Sequence, residues 1–321
     1  MSGFVVILPV LPAAARAALA PSLARGRPVP LANGDWRAWL TQRVGRADLA
    51  AQPPAGLAAG AFGVAREAAW FATPVALLAA HDHVRMPVTG WLALEAAEAE
   101  SLATDFARVF AGSGLSLVPA GAEGFLLTGI EATAETVDPA RVLGGDIAPW
   151  LPAGAGAAPL RRLGVEIEMW LHEHAVNRAR TRRGADAICG LWLWGGAAHG
   201  PASSPAMASP ATPVAAPARV PRGYGSDAWL RGLWSAMGRA LEGPAHAFDA
   251  FELSGDLDTI AVVRDAVDGN AAARWIEPAL AALAARRTRT VLVVADGRTF
   301  RFGRFDLVKP WRRRVAWAVP A

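Results

Sequence analysis

HEHAVNRARTRRGADAICGLWLWGG, residues His172–Gly196, runs from a polar, arginine-rich stretch into an apolar one closed by two glycines. The arginine-rich part is the end of a longer pattern. Leu160, Leu163, Ile167, Trp170 and Leu171 recur at helical spacing, which predicts a helix over Leu160–Arg183 with Gly184 as its stop. Ile188–Trp194 then reads as a strand apolar on both faces. Such strands occur in sheets covered on both sides, typically parallel ones. His174 falls on or beside the apolar stripe of the helix, and Asn177 and Arg178 lie one turn on. Arg180, Arg182 and Arg183 sit where cations suit a helix C-terminus. Two readings follow. In one, His174 and Asn177 tie the helix to neighbouring backbone and the arginines are a solvated face. In the other, the polar helix end faces Gly195–Gly196 and holds an anion by arginine forks.

Outward from this stretch, Phe4–Leu8 (FVVIL) and Thr290–Ala295 are two more buried strand candidates. Helical patterns fall at Ala13–Ala24, Asp35–Val44, Phe62–Phe71, Asp227–Leu241 and Trp275–Ala285. Further strands are expected at Pro74–Leu78, Phe251–Leu253 and Ile260–Val263, with Thr299–Phe305 hairpinned onto the third apolar strand. Buried strands alternating with helices predict an α/β fold with a mostly parallel sheet covered by helices on both faces. From His81 to Pro149 the texture changes. An amphipathic helix, Leu94–Phe110, precedes two short strands, Ser116–Val118 and Gly124–Thr128. The expected division is therefore a discontinuous core of 1–80 and 150–321 with a small α+β insert at 81–149. Six prolines in an Ala/Ser background make 197–223 a flexible loop by composition. Open α/β sheets bind ligands at strand carboxyl ends. That rule singles out the loop after Leu8, Gly195–Gly196 and Asp296–Gly297.

The totals exclude several classes. The formal charge is +4 over 321 residues although the pI is about 10.3. Lys309 is the only lysine, so the pI reports arginine usage more than a nucleic-acid field. Arg286–Arg287–Arg289 and Arg312–Arg314 read as solvated faces. With no basic recognition helix or base-stacking groove, nucleic-acid binding is not favoured. Cys189 is the single cysteine, which excludes an intrachain disulfide and fits a reducing, cytoplasmic compartment. The apolar N-terminus lacks a preceding cation and is interrupted by Pro9 and Pro12, against a secretory signal. No apolar run reaches the ~18 residues of a membrane span.

Chemistry-bearing groups are sparse. His81–Asp82–His83 would chelate an ion if it lay on a strand, where i and i+2 share a face. His172–Glu173–His174 on a helix would not. Cys189 reads as a core residue, and Gly195–Gly196 match no phosphate-loop pattern. No metal site and no cofactor are expected.

His174, Val176, Asn177, Arg178, Arg183–Gly184, Leu191 and Gly195–Gly196 together resemble the archaeal-type cofactor-independent phosphoglycerate mutases, with Ala175 where proline is usual. The LWLWGG wording is closer to a bacterial offshoot, the RpfE-type regulatory proteins. Thr73–Pro74–Val75, Asp82–His83–Val84–Arg85, Leu94–Gly114, Ser226–Asp227 and Trp229–Leu233 resemble the same offshoot. The resemblance implies an alkaline-phosphatase-like core in which 81–149 is the cap. It also implies a ligand-binding set of His174, Asn177, Arg178, Gly195, Gly196, Asp82, His83 and Arg85. The departures are pointed. Where the mutases carry a metal-binding D-G-x-G-D after the first strand, this chain has Leu8–Pro9–Val10–Leu11–Pro12, and their late Asp-His pair has no counterpart. The expectation is a catalytically degenerate, regulatory protein binding an anionic small molecule or a protein partner. The alternatives are an active metal-dependent mutase or phosphatase, and a nucleic-acid-binding regulator.

Overall fold

The computed structural model describes residues 3–31, 34–66, 69–121, 124–196, 220–244, 247–248, 251, 258–264 and 270–306. In chain order these form β1 Phe4–Leu8, α1 Ala13–Leu23, β2 Arg27–Pro30, α2 Trp36–Arg43, α3 Pro54–Ala59, β3 Trp70–Val75, β4 Leu78–Ala79 and β5 Val84–Arg85. There follow α4 Ala96–Val109, β6 Ser116–Pro119, β7 Phe125–Thr128, α5 Ala157–His172, α6 Ala175–Arg182 and β8 Gly190–Trp194. The last are β9 Arg222–Tyr224, α7 Ala228–Ala236, β10 Thr259–Val262, α8 Glu277–Ala284, β11 Thr290–Ala295 and β12 Arg298–Gly303. Among these residues no helix is long and apolar enough to cross a membrane.

The chain is α/β and divides into two compact units. The first comprises Met1–Ala50, Ala215–Gly225 and Met237–Ala321. It is built on a mixed sheet of order β2-β12-β11-β1-β10-β9. β11, β1, β10 and β9 run parallel, while β12 and β2 are antiparallel additions at one edge. The central strand explains its own sequence. Phe4, Val6 and Leu8 point into a core with Leu19 and Leu23 of α1 and Trp275, Ile276 and Leu283 of the C-terminal helical segment. Val5 and Ile7, on the opposite face, are equally buried. With both faces covered, no position of β1 can be polar. The segment before α8, Ala272–Ile276, is one π-helical turn. β2 closes the sheet with prolines. The Leu31 N–H bonds back to the Gly297 carbonyl, so by strand alternation Val29 also faces β12 and the nitrogens of Pro28 and Pro30 face outward. An edge without outward donors is a poor template for a further strand.

The second unit, Ala51–Val214 with Ser226–Ala236, contains an antiparallel sheet of order β6-β7-β3-β8. β3 and β8 are buried throughout. Leu191 and Leu193 enter a core with Leu102 and Phe106 of α4 and Leu160, Ile167 and Leu171 of α5. On the alternate positions, the Trp192 indole donates to the Val137 carbonyl and Trp194 to the Thr73 hydroxyl, so each buried N–H has an acceptor. Gly232 of α7 lies where any Cβ would meet the Leu57 carbonyl of α3, and this close approach admits only glycine.

Several expectations are corrected. β8 does not join the sheet of β1 and β11 but pairs antiparallel with β3 (Phe71↔Trp194 to Val75↔Gly190), in the other unit. Hence 81–149 is not an insert in a core of 1–80 and 150–321. Its strands β6 and β7 share one sheet with β3 and β8. Among its described residues, Phe62–Phe71 is not helical. Gly63 takes φ +68 and the extended chain begins at Trp70, ending at Val75 rather than Leu78. The Leu160–Arg183 helix is two helices, broken at Glu173–His174. Within 197–223, residues 222 and 223 belong to β9, and 197–219 lie outside the described residues, as do the second and third residues of the Phe251–Leu253 strand.

Candidate functional site

The break between α5 and α6 gathers three of the residues singled out from the sequence, His174, Asn177 and Arg178. α5 ends at His172, and His174 turns extended (ψ 143°) to cap α6. Its Nδ1 accepts the Val176 N–H at 3.1 Å. Asn177, one turn on, is buried. Its amide nitrogen donates to the carbonyls of Leu171 (2.8 Å) and Ile188 (2.9 Å), and its oxygen accepts the Ile188 N–H (2.8 Å). Asn177 thus closes the end of α5 onto the approach to β8. Arg178 is exposed and donates to the Glu173 carbonyl. Two of the arginines that could have formed an anion fork are engaged. Arg180 donates to Glu98 of α4 at 2.8 Å and to the carbonyl of Asp186, and Arg183 donates to the other Glu98 oxygen.

Around His174 the contacts are specific. Asp105 of α4 stands 3.4 Å from Nε2, and its carboxylate also accepts the Trp170 indole N–H (2.9 Å) and Arg108. The Trp170 and Arg108 donors hold the Asp105 carboxyl below the ordinary aspartate range. Burial pushes the His174 imidazole below its ordinary value, against the attraction of Asp105 and with the repulsion of Arg178. With Nδ1 accepting, the imidazole is neutral and carries its proton on Nε2.

The other predicted residues are elsewhere. Asn177 bonds Ile188 before β8, whereas Gly195–Gly196 follow its far end, about 20 Å away at strand rise. The glycine turn is packed. Gly195 (φ +72) donates to Thr136 Oγ1 and accepts from Ala55 N, and a Cβ on Gly196 would lie 2.3 Å from the Trp70 ring. Asp82 and His83 form the tip between β4 and β5. The Ala80 N–H bonds the His83 carbonyl, His83 Nδ1 lies 2.7 Å from Asp82, and both are exposed. This turn, not a strand, carries His81 and His83, so they do not share a strand face. Arg85 pairs with Leu78 in β5. Among the described residues no three His, Cys, Asp or Glu side chains group closely enough to hold a metal ion.

Two of the three predicted strand ends do meet. Leu8 and Ala295 are register partners, so the loop Pro9–Pro12 and the turn Asp296–Gly297 lie side by side. Asp296 (φ 51) and Gly297 (φ 67) make the two-residue, positive-φ turn that joins β11 to β12. Arg16, in the first turns of α1, reaches across to Asp296 Oδ1 at 3.0 Å and to the Leu11 carbonyl. Both side chains keep about a fifth of their surface exposed, at 22% each, while Arg16 Nε is buried with no acceptor. Arg264 follows β10, the other parallel neighbour of β1. Arg16 escaped the sequence reading because it is one charge in an alanine-rich helix. Glu98 escaped as one of several acids on α4, although Glu95 and Glu98 form the capping pair that begins that helix.

No protein-family model matches this chain, and no curated protein matches it. Among solved structures, the cofactor-independent phosphoglycerate mutase from Thermoplasma acidophilum DSM 1728 is similar to it over 94% of this chain and 90% of that one. The identity is 13% and the TM-score 0.33, a likeness too weak to pair residues between the two chains.

Proposed function

We propose that this protein is a catalytically degenerate relative of the cofactor-independent phosphoglycerate mutases, of the RpfE-type regulatory kind, that senses an anionic small molecule at the carboxyl ends of its parallel strands. One observation carries the reading. Phosphoryl transfer by two metal ions needs carboxylates around the ions. The loop leaving β1 is Pro9-Val10-Leu11-Pro12, and the first charged side chain after it is the guanidinium of Arg16. A guanidinium repels a cation and matches phosphate or carboxylate oxygens. The α1 N-terminus beside it adds the positive end of a helix dipole. Asp296 is the present partner of Arg16, so an incoming anion exchanges with it for the same donors.

Thermal melts of the wild type and Arg16→Ala, with sulfate, phosphate or 3-phosphoglycerate added, test the ligand. The wild type should be stabilised by about 2.7 kcal/mol at a hundredfold excess over Kd, and the variant should not respond. No wild-type response to any of the three, or an equal response in the variant, overturns the anion site. The catalytic half is tested by assaying phosphoglycerate mutase turnover with manganese, cobalt or zinc. None above background is expected, and turnover abolished by EDTA would refute degeneracy.

A further inference from the structure

A histidine is an unusual helix cap. Ser, Thr, Asp and Asn dominate that position, and none of them changes charge between pH 5 and 8. We infer that His174 is a proton-operated latch on the joint between α5 and α6, closed while its imidazole is neutral and released by mild acid. This inference is independent of the strand-end anion site.

The geometry gives the latch its two states. His174 is buried, and its Nδ1 can accept the Val176 N–H only while it carries no proton. Protonation turns that acceptor into a donor facing another donor, inside the protein where neither reaches water. The charged groups facing the ring then decide whether the imidazolium finds compensation. From α4, Asp105 lies 3.4 Å from Nε2, but its oxygens already serve Trp170 Nε1 and Arg108. From α5, Trp170 presents an uncharged ring edge-on, 5.2 Å between centroids. From α6 itself, Arg178 contributes a repelling charge. Burial and Arg178 outweigh Asp105, in keeping with the lowered imidazole pKa. For a basic group lowered on folding, the stabilisation is complete above the unfolded value, about 6.5, and is lost as the pH falls through the folded one.

What opens is local. Without its cap, α6 frays from its N-terminus, and α6 carries the Asn177 bonds to Leu171 and Ile188 and the Arg180 bond to Glu98. Acid therefore loosens the link between α4, α5 and the start of β8 while leaving β3, in the middle of its sheet, in place.

Amide hydrogen exchange at about pH 7.5 and about pH 5, corrected for the intrinsic pH dependence, reads the latch directly. The amides of Val176–Arg182 should lose protection selectively on acidification, while those of β3 keep theirs. His174→Asn, which caps without titrating, should abolish that difference. A uniform loss, or the same selective loss in His174→Asn, overturns the inference. Histidine-ring NMR of the wild type gives a second reading that needs no variant. His174 should titrate below about 6.5 and show the Nε2–H tautomer at higher pH. Titration at or above that value overturns the latch. If His174→Asn does not fold, Asp105→Asn replaces it. Removing the Asp105 carboxylate should move the His174 titration further down, and an unmoved titration counts against the latch.

Discussion

Glu98→Ala should destabilise the unit carrying α4 and α6 by about 3–5 kcal/mol, the range found when one partner of a buried ion pair is removed. Glu98 and Arg180 are both almost wholly buried, at 7% and 6% exposed. The carboxylate accepts Arg180 Nη1 at 2.8 Å and the Glu95 backbone N–H at 3.0 Å with one oxygen, and Arg183 with the other. Alanine leaves the Arg180 guanidinium with carbonyls, those of Asp186 and Ala93, but no countercharge in the protein interior. The Arg183 contact contributes little, because its side chain is 41% exposed. Loss of the capping pair at the start of α4 adds a further ~1 kcal/mol. Urea unfolding measures the total. Glu98→Ala combined with Arg180→Met should recover most of it, because the cost lies in an uncompensated charge and not in the lost attraction. A single-variant loss below about 1 kcal/mol would mean that the pair behaves as if it were at the surface.

How far the sequence announced this architecture depends on which residues carry each feature. β1 and β11 were legible because burial favours apolar residues on both faces, a pattern visible in five consecutive apolar residues of each, Phe4–Leu8 and 291–295. β8 shows the same pattern and was assigned to the wrong sheet, because periodicity reports burial and not the identity of the partner strand. Its pairing to β3 is decided by residues more than a hundred positions away. The break at His174 was hidden for a similar reason. Neither proline nor glycine marks it, and the end of α5 is fixed by Asn177 capturing the Leu171 carbonyl while bonding Ile188. Arg180 and Arg183 looked like a solvated face because Glu98 lies 82 and 85 residues earlier. At the strand ends the general rule for parallel sheets located the loop after Leu8 and the Asp296 turn, but not Arg16, which meets Asp296 across 280 residues.

Asn177→Ala should cost about 2 kcal/mol, more than the 1–1.5 kcal/mol of an ordinary hydrogen bond, because it takes the partner from two buried backbone groups at once. These are the N–H and the carbonyl of Ile188, whereas the Leu171 carbonyl keeps the His174 N–H. Ile188 is 1% exposed, so water does not replace the lost partner. The two penalties do not add fully, since a relaxed joint lets these groups find new partners. Asn177→Asp separates donor from acceptor. It keeps the bond from Ile188 N but aims carboxylate oxygens at two carbonyl oxygens, so it should fold less well than alanine predicts from size alone. Arg178→Ala is the contrast. Its side chain is exposed and its bond goes to a carbonyl at the end of α5, so the change should stay within about 0.5 kcal/mol. Urea midpoints of the three variants rank these costs, and a neutral Asn177→Ala beside a costly Arg178→Ala would reverse the assignment. The ranking also bears on ligand binding at this joint. A side-chain amide offers two N–H donors and one oxygen, and Asn177 commits both donors and the oxygen to backbone. An anion could engage it only by undoing the closure of α5 onto β8. Phosphate should therefore leave the Asn177→Ala deficit unchanged, while the melting response that depends on Arg16 persists in that variant.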